Sequence, residues 1–293
     1  MNILVTGANG QLGCEMQRLG AVSPNNYIFT DVAELDVTDA GAVLRAAEQT
    51  RAEAIVNCAA YTNVERAEED EATADRLNRL APANLAAAAA ATGATLIHIS
   101  TDYVFGGDGN VPRREDDPVR PLGVYGRTKL AGEKAIAEAG CDALILRTAW
   151  LYSEFGNNFV KTMLRLTAQT PRVKVVFDQA GTPTYAADLA GAIHRMISSG
   201  AYRGNEGTYH FSNEGVCSWY DFAHEIAVLA GLDPARVIPC HSEEFPSPVE
   251  RPRSSVLDKT KIKETFNLTI PYWRDALERC LERLGAQTAG TAS

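Results

Sequence analysis

The chain has 293 residues, 45% hydrophobic and 22% charged, and this balance excludes a disordered or fibrous protein. A net charge of −9 argues against the clustered basic surface that nucleic acids and anionic membranes require, so neither is an expected partner. The length suits one large domain, or one domain with a smaller appendage.

The cysteines and the N-terminus indicate the compartment. None of the six cysteines has CxxC spacing, and the five histidines complete no metal-ligand pattern with them, so free thiols and no metal are expected. The chain opens directly into a strand-like run, without a basic region or cleavage site. Its most apolar stretch, residues 85–91, is too short to span a bilayer. These features predict a cytoplasmic protein.

The first half of the chain alternates short β-branched apolar runs with helical patterns, which is typical of βαβ units. The predicted strands are 2–6, 27–31, 54–57, 95–100 and 143–147. The predicted helices are 11–20, 40–50, 71–91 and 124–139, with a kink or break at Pro82. The strand runs are nearly continuous, as expected when helices cover both sheet faces. The predicted fold is a Rossmann-type, doubly wound parallel α/β sheet.

The second half has a looser pattern. Strands are predicted at 173–178 and 208–211, and helices at 185–199, 218–231 and 272–284. We predict a dinucleotide-binding Rossmann domain over residues 1–150. A smaller, loop-rich C-terminal region over 151–285 is expected mainly to bind substrate, with some segments returning to the Rossmann domain. A frayed tail is expected over 286–293, because its residues are small and polar.

A glycine-rich turn follows the first predicted strand. Gly7 suits the tight turn, Gly10 lets the backbone approach a pyrophosphate, and Gly13 lets helix and strand pack closely. The following helix offers its N-terminus to the phosphates. Asp31 lies about 20 residues on, where a carboxylate can bind the adenosine ribose and disfavour a 2′-phosphate. The alternative interpretation is an ordinary strand–helix turn that needs glycine.

A phenol and an amine stand one helical turn apart at Tyr125 and Lys129. Carbonyl reduction needs a proton donor, and a lysine ammonium beside a tyrosine lowers the pKa of the phenol. Thr101 directly follows the fourth predicted strand, at the sheet edge where ligands bind. The three side chains predict a catalytic triad of Tyr125 as general acid, Lys129 as its partner and Thr101 as the substrate-orienting hydroxyl. The alternative is an exposed Tyr–Lys pair beside a helix cap.

The GxxGxxG spacing and the YxxxK pair resemble the extended short-chain dehydrogenase/reductase family. Four further segments are similar to the dTDP-4-dehydrorhamnose reductase family in particular, and the similarity spans nearly the whole chain. These segments are STDYVF (100–105), PLGVYGRTKLAGE (121–133), LRTAWLY (146–152) and GNNFVKTM (156–163).

The resemblance implies reduction of the C4 keto group of dTDP-4-dehydro-L-rhamnose to dTDP-L-rhamnose with NADPH or NADH. It implies that Thr101, Asp102 and Trp150 contact the sugar nucleotide. The expected cofactor-binding residues are Gly7, Gly10, Gln11, Leu12, Gly13, Asp31, Asp36, Val37, Ala59, Ala60, Tyr61, Thr62, Tyr125 and Lys129.

Three further expectations concern charge and assembly. Arg251 could pair with the nucleotide diphosphate or lie on the surface. Some family members are dimers with Mg²⁺ held by glutamates, and Glu15 matches one such position. The match near Asp188 and Glu282 is poor, so no metal is predicted, and the chain is expected to be a monomer or a homodimer.

Two other functions stay open at this point. A nucleotide-sugar dehydratase or epimerase shares the glycine turn and YxxxK, but the dehydratases place Asp-Glu after the threonine, whereas Tyr103 follows Asp102 here. Epimerases typically have serine in place of Thr101. A non-catalytic regulatory subunit on the same scaffold would bind cofactor without needing the triad.

Overall fold

A six-stranded parallel sheet forms the centre of the protein in the computed structural model, which describes residues 1–245 and 247–290. Across the sheet, the strands are β2 (Asn26–Thr30), β1 (Asn2–Thr6), β3 (Ala54–Asn57), β4 (Thr95–Thr101), β5 (Ala143–Thr148) and β10 (Gly207–His210). The chain runs outward from β1 to β2 and then crosses to β3 on the other side of β1. This reversal is a switch point, and ligands of such sheets bind outside the carboxyl ends of the strands there.

Two helical layers cover the sheet. One contains α1 (Gln11–Gly20), α8 (Ala186–Ser198) and α10 (Thr260–Phe266), which pack on alternate strand residues such as Ile3 and Val5. The other contains α2 (Ala40–Thr50), α5 (Ala81–Thr92) and α6 (Val124–Ala139), which pack on the intervening positions such as Leu4 and Ile55. Because successive strand residues face opposite layers, both sets must be apolar.

The segment between β3 and α5 differs from the prediction. The expected long helix over 71–91 is divided into α4 (Glu71–Asp75), a π-helical turn (Arg76–Leu80) and α5, and α3 (Val64–Glu69) precedes it unpredicted. Pro82 is the second residue of α5, so the interruption comes just before it rather than at it. The π turn holds Asn78, whose side-chain amide binds the backbone N–H and carbonyl of Tyr61.

A second hydrophobic core lies in the later part of the chain. It is formed mainly by α7 (Phe159–Gln169), β7 (Val173–Val176), α9 (Trp219–Leu229), β12 (Val237–Cys240) and α11 (Trp273–Gly290). Paired two-residue strands complete this region: β6 (Leu151–Tyr152) with β9 (Thr184–Tyr185), and β8 (Ala180–Gly181) with β11 (Cys217–Ser218). Three elements of the same half, namely α8, β10 and α10, instead belong to the large sheet and its helical layer.

Most predicted bounds agree closely with the structure. The bounds of β1, β3, α1, α2 and α6 are as predicted, and β4 and β5 each extend one residue further. Strand β7 ends at Val176 rather than at 178. Helix α11 continues to Gly290, where a frayed tail was expected from 286, and residues 291–293 lie outside the described residues. Over the described ranges, no helix is both long and apolar enough to cross a membrane.

Candidate active site

Steric limits shape the glycine turn between β1 and α1. Gly7 has a φ of +67°, and a Cβ there would lie 2.6 Å from the backbone nitrogen of Ala59. A Cβ on Gly13 would overlap the Gly7 carbonyl oxygen, so glycine lets α1 pack directly on the turn. Among the described residues, no side chain caps α1 at Gly10. The turn therefore presents free backbone N–H groups at a helix N-terminus, which suits a phosphate.

Asp31 follows β2 and lies beside the glycine turn. Its Oδ2 accepts a hydrogen bond from the Asn9 N–H at 2.8 Å, and its Oδ1 accepts one from the Val32 N–H at 2.8 Å. The carboxylate is thus fixed next to the turn that the sequence assigned to the pyrophosphate.

A cavity of about 510 Å³ opens where β1, β3, β4 and β5 end. Ten of the predicted site residues line it: Gly10, Gln11, Leu12, Ala60, Thr62, Thr101, Asp102, Tyr125, Lys129 and Trp150. The switch point of the sheet, the glycine turn and the predicted triad therefore face one space.

The three predicted catalytic side chains meet in this cavity from two elements. Thr101 is the last residue of β4, Tyr125 lies in the first turn of α6, and Lys129 lies one turn later. The Lys129 side chain is buried, and its Nζ donates a hydrogen bond to the Ile99 carbonyl at 2.6 Å. The Tyr125 ring packs edge-on against Tyr103, with 5.4 Å between ring centroids.

Loss of hydration controls the protonation of the phenol and the amine. Tyr125 is partly accessible from the cavity, yet burial raises its pKa, and a hydrogen bond with Thr101 offsets part of that rise. Burial lowers the pKa of Lys129 to about 8, although the Glu133 carboxylate opposes this. From the neighbouring lysine, the sequence predicted a lowered pKa for Tyr125. The direction is reversed because desolvation of the phenolate outweighs the favourable contacts.

Asp102 brings a buried carboxyl group to the same cavity. Its Oδ1 accepts a hydrogen bond from the Thr101 hydroxyl at 3.1 Å, whereas its Oδ2 has no hydrogen-bond partner among the described residues. Burial raises the pKa of Asp102 to about 6. A buried oxygen without a partner is suited to accept a hydrogen bond from a ligand hydroxyl.

Trp150 forms an aromatic wall of the cavity in an unusual backbone conformation. Its φ is +49°, in the left-handed region, and its indole stacks on that of Trp219 with 3.6 Å between ring centroids. Such conformations in bulky residues are often found at functional sites.

A second, largely apolar cavity of about 500 Å³ shares Trp219 and Arg251 with the first. Its walls come mainly from α7 and β7, including Phe159, Met163 and Val173. Arg251 is partly exposed, and its guanidinium pairs with Glu65 at 3.0 Å. Arg251, the residue predicted to pair with the diphosphate, therefore lies where the two cavities meet.

Comparison with known proteins decides the family. A family model described as RmlD substrate binding domain matches residues 1–286. The dTDP-4-dehydrorhamnose reductase of Mycolicibacterium smegmatis is 40% identical over 291 residues, which cover 98% of this chain and 88% of that protein. The chain belongs to the dTDP-4-dehydrorhamnose reductase family. The resemblance predicted from the sequence motifs is confirmed.

Solved structures of dTDP-4-dehydrorhamnose reductases have the same fold. The Clostridium acetobutylicum protein has a TM-score of 0.92 and 43% identity, covering 97% of this chain and 100% of that one. The Bacillus anthracis protein, solved in complex with NADP, has a TM-score of 0.91 and 38% identity, covering 96% of this chain and 99% of that one. The predicted Rossmann-type α/β class is confirmed.

Several residues predicted to hold the cofactor do not line the cavity of this dTDP-4-dehydrorhamnose reductase family member. These are Gly7, Gly13, Asp31, Asp36, Val37, Ala59 and Tyr61. Gly7 and Gly13 act through close packing, as described above. The Asp36 carboxylate accepts hydrogen bonds from the N–H and hydroxyl of Thr38, and Val37 is buried with its carbonyl bound to Asn84.

Several residues that line the cavity of this reductase-family chain were not predicted from the sequence, among them Asn158, Tyr103 and Trp219. Asn158 caps α7, and its side-chain amide donates to Gln11 Oε1 at 3.0 Å, which joins the C-terminal region to α1. Asn158 lies in the segment 156–163, which is similar to the reductase family, so the sequence did contain a signal for it. Tyr103 and Trp219 also line the cavity. Trp219 comes from α9, and no local pattern indicates that it meets Trp150.

Glu15 lies in a buried charged cluster in this family member. It pairs with Arg18 at 3.3 Å and Arg283 at 3.6 Å, next to Glu154. Burial, followed by the negative charge of Glu154, raises the pKa of Glu15 to about 7. The guanidinium groups of Arg18 and Arg283 thus contact the Glu15 carboxyl group, which matched a metal-binding position of the family. The absence of a metal stays a prediction.

Proposed function

We propose that this chain reduces the C4 keto group of dTDP-4-dehydro-L-rhamnose to dTDP-L-rhamnose, with NADPH or NADH as the reductant. The observation that carries the proposal is the meeting of Thr101, Tyr125 and Lys129 in one cavity with the glycine turn. The choice of a dTDP-linked 4-ketosugar as the substrate follows from membership of the reductase family.

The dinucleotide fits the residues present. Helix α1 has no side-chain cap among the described residues, and even a Cβ at Gly10 would approach the Gly7 carbonyl oxygen to 3.3 Å. The turn and the residues after β3, including Ala60 and Thr62, would hold the dinucleotide, with Asp31 toward its adenosine ribose. When bound, the dinucleotide supplies the hydride that reduces C4 of the sugar.

The side chains of the triad supply the proton and orient the carbonyl group. Tyr125 donates its phenolic proton to the carbonyl oxygen, so the net reaction takes up one proton for each hydride. The Thr101 hydroxyl, which lines the same cavity, would turn toward this oxygen and orient it. Lys129 lies one helical turn from Tyr125 and would contact the nicotinamide ribose as well.

Binding of the sugar nucleotide would use both cavities. Asp102 offers its unpartnered oxygen to a sugar hydroxyl, and Trp150 offers a flat apolar wall to the methyl-bearing face. Arg251, at the junction of the cavities, would pair with the diphosphate.

Residues 151–285 would then mainly bind substrate, in a monomer or a homodimer. All six cysteines are unpaired, which supports a cytoplasmic reaction.

The test is the loss of NADPH or NADH absorbance at 340 nm when the dTDP-linked 4-ketosugar is added. We expect turnover with the dTDP-linked substrate, weaker turnover with a UDP-linked ketosugar, and dTDP-rhamnose as the product. A regulatory subunit would bind the dinucleotide but leave the absorbance unchanged, and that result would remove the proposal. A dehydratase would convert dTDP-glucose without net loss of the reduced cofactor.

A further inference from the structure

The loop of residues 153–158, between β6 and α7, packs against α1 at the edge of the active-site cavity. Its Glu154 carboxylate accepts a hydrogen bond from the Arg18 guanidinium of α1 at 2.8 Å. On the other side, the Lys161 ammonium of α7 donates to the backbone carbonyls of Glu154 at 3.2 Å and of Gly156 at 2.8 Å. The loop is therefore held by both helices, which fixes its polar groups in place beside the cavity.

Backbone groups fix the orientation of the Asn158 side-chain amide, at the end of this loop. Asn158 caps α7, because its Oδ1 accepts a hydrogen bond from the Lys161 N–H at 3.1 Å. Its Nδ2 donates to the Ser153 carbonyl at 2.7 Å. Since a backbone N–H can only donate and a carbonyl can only accept, the oxygen and the nitrogen of this amide cannot be exchanged. The same Nδ2 lies 3.0 Å from the side chain of Gln11.

The orientation of Asn158 determines that of Gln11, the first residue of α1. The Gln11 atom that faces Asn158 Nδ2 must be an acceptor, so it is Oε1. The Ser153 hydroxyl accepts from the Phe155 N–H at 3.0 Å, and it donates to the same Oε1 at 3.2 Å. Gln11 Nε2 therefore points away from the loop, and no described residue accepts a hydrogen bond from it. Gln11 lines the cavity next to Gly10.

The direction of the Gln11 amide matters because of the groups beside it. The first turn of α1 offers backbone N–H groups to a phosphate, and Nε2–H of Gln11 adds a side-chain donor at the same end of the helix. A hydrogen bond to a charged acceptor is stronger than one between neutral groups. The reversed amide would bring its oxygen toward the phosphate oxygens, and two acceptors would then face each other.

We propose that Asn158 is a positioning residue for dinucleotide binding, which holds the Gln11 amide with its Nε2–H toward the pyrophosphate. The C-terminal region thereby contributes to cofactor binding through one hydrogen bond between two amides. Gly156 brings the loop close enough for this contact, since a Cβ there would lie 3.3 Å from Gln11 Cγ. The inference rests on the proposed function for the identity and place of the dinucleotide, but not for turnover.

A double-mutant cycle between Asn158 and Gln11 tests the proposal, with the Kd of NADPH measured by fluorescence titration. Asn158→Ser keeps a side chain that caps α7 well but removes the amide donor. We expect its Kd to rise by about five- to tenfold, and that of Gln11→Ala by about tenfold. In the Gln11→Ala background, Asn158→Ser should change the Kd by less than about twofold, because no amide is left to orient.

The matched control is Asn63→Ser, the same substitution at another helix cap. Asn63 caps α3 by accepting from the Arg66 N–H at 3.0 Å, and it does not line the cavity. The Kd of this variant should stay within a factor of about two of the wild type. An unchanged Kd in Asn158→Ser, an equal rise in Asn63→Ser, or equal effects of Asn158→Ser with and without Gln11 would each overturn the proposal.

ADP-ribose, which has the pyrophosphate but no nicotinamide, locates the effect on the ligand. Asn158→Ser should weaken ADP-ribose binding by the same factor as NADPH binding, and a loss confined to NADPH would contradict a contact with the pyrophosphate. These titrations use neither the sugar nucleotide nor turnover. Coupling between Asn158 and Gln11 without reduction of the ketosugar would remove only the proposed function. Reduction by the wild type without such coupling would remove only the role of Asn158.

Discussion

The indole of Trp150 lies so close to the backbone of Gly181 that a Cβ on residue 181 would stand 2.6 Å from Cζ2 of the ring. The ring also stacks on Trp219, and Trp150 adopts a left-handed backbone conformation. The absence of a side chain at Gly181 therefore leaves space for the indole beside the cavity.

Gly181→Ala should displace this wall without touching the triad. We expect KM for the sugar nucleotide to rise roughly tenfold, with kcat and the Kd of the cofactor much less affected, because the lost contact concerns substrate binding. Steady-state kinetics measures KM and kcat, and a cofactor titration measures the Kd. The control is Gly191→Ala in α8, where an added Cβ meets open space. Equal effects of the two variants would contradict the role of Trp150.

Asp102 gives a prediction about stability and pH. Its pKa is raised to about 6 from an ordinary value of 3.8, so the unfolded chain ionises at lower pH than the folded protein. Above pH 6 the folded state must hold a buried carboxylate, and this destabilises it. Asp102→Asn should therefore increase the free energy of unfolding by about 1 to 3 kcal/mol at pH 8, and by about half as much at pH 5.

Urea unfolding at the two pH values measures this difference. The exposed Asp116 provides the control, and Asp116→Asn should change stability by less than about 0.5 kcal/mol at either pH. A loss of stability in Asp102→Asn that is the same at pH 8 and pH 5 would show that the carboxyl group is not disfavoured by burial.

Asp31 gives a prediction about cofactor choice. Asp31→Asn keeps an oxygen for the Asn9 N–H but removes a negative charge beside the glycine turn. If the adenosine ribose lies there, the ratio of the Kd for NADPH to the Kd for NADH should fall roughly tenfold. Fluorescence titration measures both constants. Asp142→Asn, just before the amino end of β5, should leave the ratio unchanged. An unchanged ratio in Asp31→Asn would place the ribose elsewhere.

Local sequence signals predicted the large sheet well. Three consecutive apolar residues in β1 are buried on both faces, as the nearly continuous apolar run predicted. The glycine turn and the Tyr125–Lys129 pair were also readable, because each depends on residues close together in the chain.

The remaining features depend on contacts between distant segments. The π turn at Arg76–Leu80 places Asn78 against both the Tyr61 backbone and Thr128, and no pattern within residues 71–91 requires it. The two-residue strands are too short for an alternating pattern. The raised pKa of Tyr125 depends on how deeply the folded chain buries it, and spacing along a helix does not report that depth.

The most direct test of the central claim is the turnover of Tyr125→Phe, which removes only the phenolic oxygen. We expect kcat to fall by about two to four orders of magnitude while the Kd of the cofactor stays near the wild-type value. Tyr272→Phe, at an exposed tyrosine, serves as the control and should keep full turnover. A kcat of Tyr125→Phe within a factor of about three of the wild type would contradict the assignment of Tyr125 as proton donor.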